Sequence, residues 1–181
     1  KANSATATYD GKEHEAVGVE TYEFTVEGNS YTVSGLSTED PKQKDAGSYT
    51  NNITGTPVVT DKEGNVVTSE FEVKTENGSL EIGKAAVTLK SATLSKKYDG
   101  NALVNGDTAL EIESGFAEGE GATYNFTGSQ TVVGSSANAF SYELNGNTNI
   151  DNYAISKQEG TLTVTNREAK YEITVKANSA T

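Results

Sequence analysis

Cysteine and methionine are both absent from the 181 residues, histidine occurs once, and basic residues are outnumbered, with 14 Lys and Arg against 26 Asp and Glu. Each shortage removes a class of function. Without cysteine there is no disulfide, no thiolate nucleophile and no Cys-bound metal, which argues against a small disulfide-stapled scaffold and leaves the compartment open. Without methionine, a signal peptide or an apolar run approaching about 18 residues, the chain is expected to be a piece or processed product of a larger polypeptide. Its targeting and anchoring elements are expected elsewhere. A net charge of −12 repels phosphates, which argues against nucleic acid and against an anionic membrane surface, and membrane insertion is not expected. The acidity reads as solubility, since identical β units that repel one another stay dispersed. The lone His14 sits in the polar stretch Lys12-Glu13-His14-Glu15 just after a turn, where an exposed loop residue is expected rather than a general base. With no Gly-rich phosphate loop and no marked carboxylate pair, no catalytic residue is assigned and the chain is read as a non-enzyme.

What is present is repetition. The first six residues, Lys1 to Thr6, and the last six, Lys176 to Thr181, both read KANSAT, so the chain is one period of 175 residues (176 minus 1) cut within a repeat. The period divides again. Tyr9-Asp10-Gly11 recurs as Tyr98-Asp99-Gly100 at an offset of 89 (98 minus 9), and Tyr31-Thr32-Val33 matches Tyr124-Asn125-Phe126 at 93. Phe71, Val73, Gly78, Leu80 and Ile82 match Tyr153, Ile155, Gly160, Leu162 and Val164 at 82. Offsets that change only between blocks place insertions and deletions in loops, as in two copies of one fold. The expected domains are residues 1–84, a type 1 repeat lacking its first strand; 85–166, a type 2 repeat; and 167–181, the first strand of the next type 1 repeat.

Period-two alternation at Tyr22-Phe24-Val26, Tyr31-Val33, Phe71-Val73, Leu80-Ile82, Val87-Leu89, Leu162-Val164 and Tyr171-Ile173-Val175 predicts half-buried strands. Glu27-Gly28-Asn29 and Asp61-Lys62-Glu63-Gly64-Asn65 each fall between such runs and predict hairpins. No stretch keeps a capped helical period, and 18 glycines would weaken helices, so the expected class is all-β. Lys44-Asp45-Ala46-Gly47-Ser48-Tyr49 resembles the tyrosine corner of immunoglobulin-like domains, where a tyrosine hydroxyl bonds back to the backbone. The matching Val133-Gly134-Ser135-Ser136 keeps only the glycine. Two tandem immunoglobulin-like β-sandwiches are expected, with β-grasp-like domains as the alternative.

The Tyr-Asp-Gly near each domain start, the Gly-Ser-Tyr or Gly-Ser-Ser segment, and the closing Asn-Gly-Ser-Leu-Glu-Ile and Glu-Gly-Thr-Leu-Thr-Val strands resemble the YDG/MBG-type repeats of large bacterial surface proteins. The resemblance covers nearly the whole chain, once per domain. It implies an extracellular, cell-wall-attached or secreted adhesin-like protein in which repeats form a stalk, and it carries over no catalytic residue.

The oxygen-rich loops 61–65 and 145–152 could attract calcium but lack the twelve-residue loop with its terminal Glu, and read better as turns, so no cofactor is assigned. The nine tyrosines and five phenylalanines could stack on glycans of a host surface, yet most occupy strand positions that suit packing. Tyr9 and Tyr98 read as turn anchors. Short connections without a Pro/Gly/Ser linker, such as Gly83-Lys84-Ala85-Ala86, predict stiff joints, each domain adding roughly 30 Å to a rod. Aligned on Tyr-Asp-Gly, Ile173 and Val175 correspond to Val87 and Leu89, so Tyr171, Ile173 and Val175 form an inter-repeat strand supplied to a neighbouring copy. That copy follows in the same polypeptide or, as in a pilus, belongs to another molecule.

Overall fold

The computed structural model describes residues 1–178; Ser179, Ala180 and Thr181, the end of the second KANSAT, lie outside the described residues. The chain is all-β, and its only helical elements among these residues are two 3-10 turns, Thr68–Glu70 and Ile150–Asn152. Contacts divide it into two compact units, one of residues 1–87, 115–121 and 146–154 and the other of residues 88–114, 122–145 and 155–181. The first unit therefore holds two loops that follow the start of the second repeat.

The first repeat supplies β1 (Ala5–Thr8), β2 (His14–Glu15), β3 (Glu23–Val26), β4 (Asn29–Thr38), β5 (Lys42–Gln43), β6 (Gly47–Asn51), β7 (Ile53–Asp61) and β8 (Gly78–Gly83). They form the sheets β1-β8-β6, β3-β4-β7 and β2-β5. β1 runs parallel to β8, and β6 runs antiparallel to its other edge. Leu80 and Ile82 of β8 are buried, as are Val33 of β4 and Val59 of β7, each alternating with more exposed residues as half-buried strands must. The chain turns tightly at Glu27-Gly28 and again at 61–65, where Gly64 has a φ of 85°.

The second repeat supplies β9 (Ala85–Lys90), β10 (Leu94–Lys97), β11 (Leu103–Val104), β12 (Ile112–Ser114), β13 (Ala122–Phe126), β14 (Ser129–Gln130), β15 (Gly134–Ala137), β16 (Phe140–Leu144), β17 (Tyr153–Gln158) and β18 (Thr161–Thr165). Its sheets are β10-β18-β15, β12-β9-β17, β13-β16 and β11-β14. The three-stranded sheets β1-β8-β6 and β10-β18-β15 share one register. Ala5 faces Leu80 where Leu94 faces Leu162, and Gly47 faces Ile82 where Gly134 faces Val164. Those pairs map onto each other at the offsets 89, 87 and 82.

A buried asparagine and a glycine hold the bend before this parallel pair in both copies. Asn51 donates from Nδ2 to the Asn3 carbonyl at 3.1 Å, and Asn138 donates to the Ala92 carbonyl at 2.9 Å. Opposite each stands a glycine. A Cβ at Gly78 would lie 2.2 Å from the Asn3 carbonyl oxygen, and one at Gly160 would lie 2.4 Å from that of Ala92, so only glycine fits. In the second repeat this bend splits one run of chain between two sheets, β9 in one and β10 in the other.

Two expected strands do not form. Phe71–Val73 follows a 3-10 turn, with Phe71 extended at φ −127° and ψ 141°, yet it joins no sheet. Tyr171, Ile173 and Val175 likewise pair with nothing among the described residues. The alternation is real in both, but an extended segment becomes a strand only when a neighbour satisfies its backbone groups. The 61–65 turn is also followed by less strand than expected, a single Thr60–Val66 bridge before the chain enters the 3-10 turn.

Candidate functional site

In the second repeat β9 is the central strand of its sheet, and it carries the core on alternate residues, with Val87 1% and Leu89 0% exposed. Its end is bound from both sides. The Glu111 amide donates to the Lys90 carbonyl at 2.8 Å, and the Ser91 amide donates to the Gln158 carbonyl at 3.2 Å. The first repeat repeats this arrangement at its beginning. The Glu20 amide donates to the Lys1 carbonyl at 2.9 Å, and the Ala2 amide donates to the Glu76 carbonyl at 2.9 Å. Lys1 and Ala2 thus stand where Lys90 and Ser91 stand, at the offset of 89.

The two segments that flank Lys1 and Ala2 extend past them, and among the described residues no strand lies between them. On one side β3 is exposed at all four residues, including Phe24 and Val26; on the other, residues 71–76, which match β17 at the offset of 82, belong to no strand, and of them Phe71 bonds back to its own 3-10 turn and Glu76 to Ala2. Between them runs an apolar groove of ≈ 200 Å³, with Phe24, Val26, Phe71 and Val73 on its walls and Val33 and Val59 beneath. A narrower continuation of ≈ 40 Å³, lined by Val19, Tyr22 and Leu36, reaches Lys1. The groove thus has the free edge of β3 on one side, residues 71–76 on the other and an apolar floor, a shape with room for an extended segment.

The segment expected to be donated has the matching form. Tyr171, Ile173 and Val175 are 56%, 84% and 90% exposed. Tyr171 is held by Arg167, whose guanidinium lies 4.1 Å from the ring centroid and donates to the hydroxyl at 3.1 Å.

The two Tyr-Asp-Gly turns share a backbone and differ in surroundings. Asp10 accepts from the Lys12 amide at 2.9 Å and bonds His14 Nε2 at 3.0 Å, while Gly11 takes a φ of 79°. Asp99 accepts from the Asn101 amide at 2.9 Å and from Lys96 Nζ at 2.8 Å, while Gly100 takes a φ of 83°. Asp10 is held below the usual carboxylate range by the Lys12 amide first and then by His14; at Asp99 the Lys96 ammonium comes first. Both are Asx turns that fix the exit from a strand.

Tyr9, however, is buried, while Tyr98 is half-buried. Within the first unit the Tyr9 hydroxyl donates to Glu120 Oε1 at 2.5 Å, and Tyr153 donates to the other carboxylate oxygen at 2.9 Å. The two rings meet edge to face, 5.3 Å apart at 84°. The Ala117 amide donates to the Tyr153 hydroxyl at 3.0 Å. Beside them Asn152 accepts from the Ala46 amide and donates to Asp45, both at 2.8 Å. Burial, then the Glu120 carboxylate, pushes the Tyr9 hydroxyl pKa up, so it stays a donor.

The other sequence candidates resolve into local structure. Tyr49 donates to the Asp45 carbonyl at 3.0 Å, the back-bond its corner motif predicts. Asp61 accepts from the Glu63 and Asn65 amides at 3.0 and 2.8 Å and from Asn65 Nδ2 at 2.9 Å, so its oxygens face its own turn. Asn149 Oδ1 accepts from the Asp151 amide at 3.0 Å, and Asn147 donates to Gly119 at 2.8 Å. Among the described residues no group of three His, Cys, Asp or Glu side chains is gathered to hold a metal. Glu120, Asn152, Asn51 and Asn138 escaped sequence reasoning. Asn51 and Asn138 stand at the same offset of 87 as Gly47 and Gly134 and could have been found by extending that block. Comparison of the chain with protein-family models, with curated proteins and with solved structures finds no match.

Proposed function

We propose that this chain is a non-catalytic structural repeat of a tandem array, in which the segment Tyr171–Val175 of one copy fills the slot of the next first repeat. The observation that carries this reading is the slot itself: the hydrogen bonds at Lys1 and Ala2 reproduce those at Lys90 and Ser91, and ahead of them a groove replaces Val87 and Leu89. Seating Ile173 and Val175 there would stabilise the first repeat by about 1.5–3 kcal/mol for each side chain fully buried. Completed in this way, each repeat is an immunoglobulin-like sandwich whose opening strand passes from one sheet to the other. The β9-to-β10 division and the Tyr49 back-bond support that assignment.

An array joined by shared strands transmits load along the backbone, which suits the stalk of an extracellular bacterial adhesin, the role implied by the resemblance to YDG/MBG-type repeats. Among the described residues no helix is long and apolar enough to cross a membrane. The aromatic residues Phe24 and Phe71, which could have formed a glycan platform, serve in this reading as slot walls.

A synthetic peptide of residues 169–178 tests it. Titrated into the 181-residue chain, it should bind saturably, raise the melting temperature of the first unit and slow amide exchange at β3 and 71–76; a peptide carrying I173D and V175D should do none of these. Failure of the native peptide to bind, or equal competition by the substituted one, removes the reading. Denaturing electrophoresis of native material then separates a covalent array, which runs as one giant species, from a pilus-like polymer of small subunits.

A further inference from the structure

The second unit presents a surface equivalent to the one covered at Tyr9. Tyr98 occupies the place of Tyr9, and Val132 and Val133, at the offset of 87, occupy those of Asp45 and Ala46. Val132 and Val133 are 66% and 48% exposed. A hollow of ≈ 420 Å³ opens there, lined by Tyr98, Val133, Asn166, Arg167, Lys170 and Tyr171. Within the first unit the corresponding place is filled by Glu120, Tyr153 and Asn152.

The repeat alignment says what their counterparts are. Glu120-Gly121 matches Glu27-Gly28 at the offset of 93, and Tyr153 matches Phe71 at 82. Glu27 lies at the tip of the β3–β4 hairpin, exposed and with a φ of 49°, and Val26 is exposed beside it. The charges at the contact are complementary: Arg167 and Lys170 line the hollow and Glu27 stands exposed at the hairpin tip, while the nearby Glu63 and Glu72 are paired with Lys62 and Lys74. The surface and the donated segment are also continuous, since Tyr171 belongs to both.

We propose that the Tyr98 surface is a second docking element, which seats the β3–β4 hairpin tip of the first repeat of another copy, with Glu27 accepting from the Tyr98 hydroxyl and facing Arg167. The occupant is the same copy that receives Tyr171–Val175, so the inference rests on the strand reading above. The strand supplies register and the hairpin clamp fixes the angle, as two linked contacts acting at high effective concentration.

Self-association of the full 181-residue chain, followed by sedimentation against concentration, tests the clamp separately from the strand. Tyr98→Phe and Glu27→Gln should each weaken association about tenfold, and the double variant should lose little more, because both remove one hydrogen bond. Arg167→Glu and Glu27→Lys should each weaken it, and their combination in one chain should restore it. The 169–178 peptide should bind wild type, Y98F and E27Q alike. If the peptide binds but these substitutions leave association unchanged, or if the charge-reversed pair stays weak, the clamp is overturned while the strand reading stands. If neither peptide binding nor association occurs, both fall. Cross-linking of Lys170 to the second repeat of another copy, instead of to the first, also overturns the clamp.

Discussion

Val87 and Leu89 occupy the same positions in their repeat as Ile173 and Val175, and all four alternate with polar neighbours in a run of like character. The first pair lies at 1% and 0% exposure and the second at 84% and 90%. Local propensity is therefore not what makes β9 a strand. It is a strand because β12 and β17 meet its backbone on either side and a core meets its side chains, whereas the same pattern at 171–175 belongs to no strand. The walls respond in the same way. β17 is ordered against β9, whereas its counterpart 71–76 belongs to no sheet. In the proposed reading each copy would hold both a slot and a segment to fit one, and the contrast between β9 and residues 171–175 is what that reading explains.

The comparison breaks most sharply at its centre. Leu89→Ala removes a fully buried side chain from a filled slot and should cost about 2–5 kcal/mol, read as a loss of denaturant midpoint for the second unit. Val175→Ala in the isolated chain should change stability by no more than about 0.5 kcal/mol. Adding the peptide of residues 169–178 leaves that asymmetry in place, but the same Val175→Ala change made within the peptide should weaken its binding. Equal effects of the two substitutions on the chain would mean that Val175 is packed and that the first and second opening strands do not differ.

A smaller effect is expected where the two repeats agree in design and differ in detail. Asn51 uses both ends of its amide, donating to Asn3 and accepting from the Asp40 amide at 3.0 Å. Asn138 donates to Ala92 and to Asn105 Oδ1 at 2.7 Å, while its own Oδ1 is buried without a partner. Replacing either by Ala should cost about 1–3 kcal/mol, since each strands buried backbone groups. Asn138→Ala should lie at the lower end, because it also relieves an unsatisfied oxygen. Unit-resolved hydrogen exchange measures both, and a larger loss at Asn138 than at Asn51 would reverse the ranking.

The course of the chain was legible wherever its cause was local. Period two located β4, β8, β9 and β18, and Gly64 located its turn, because side-chain alternation and positive φ are set by a few adjacent residues. The Tyr49 back-bond was legible for the same reason, spanning only four positions. What was not legible is non-local: the parallel pairing of β1 with β8 and of β10 with β18 depends on partners about 70 residues away. Phe71–Val73 shows the limit from the other side, since its pattern is that of a strand and among the described residues no strand pairs with it. The groove could be placed only by comparing two copies, since its lining comes from segments far apart in the chain. Glu120 had no local signal at all, lying 111 residues from the tyrosine it accepts from.

The smallest expected effect lies at the two Tyr-Asp-Gly turns and is read by pH. Asp10 and Asp99 both have depressed pKa values in the fold, so each contributes stability that is present above the ordinary carboxylate range and lost as pH falls through the folded value. The acid limb is thus common to both repeats. Tyr9 works in the opposite sense. Its pKa is raised by burial and by Glu120, so its contribution is complete below the unfolded value of about 10 and declines as pH rises above it. Tyr153 shares that carboxylate and is also raised, and Tyr124 is raised by burial and by Glu113 in the second unit, so alkaline loss alone does not single out Tyr9. Tyr9→Phe does. It should cost the first unit about 1 kcal/mol at neutral pH, through the lost hydrogen bond, and flatten that unit's alkaline decline while leaving the second unit's slope unchanged. Tyr98→Phe in the isolated chain should move neither unit at neutral pH by more than about 0.5 kcal/mol. A Tyr98 effect as large as that of Tyr9 would show that its surface is already occupied, and the two turns would then be equivalent after all.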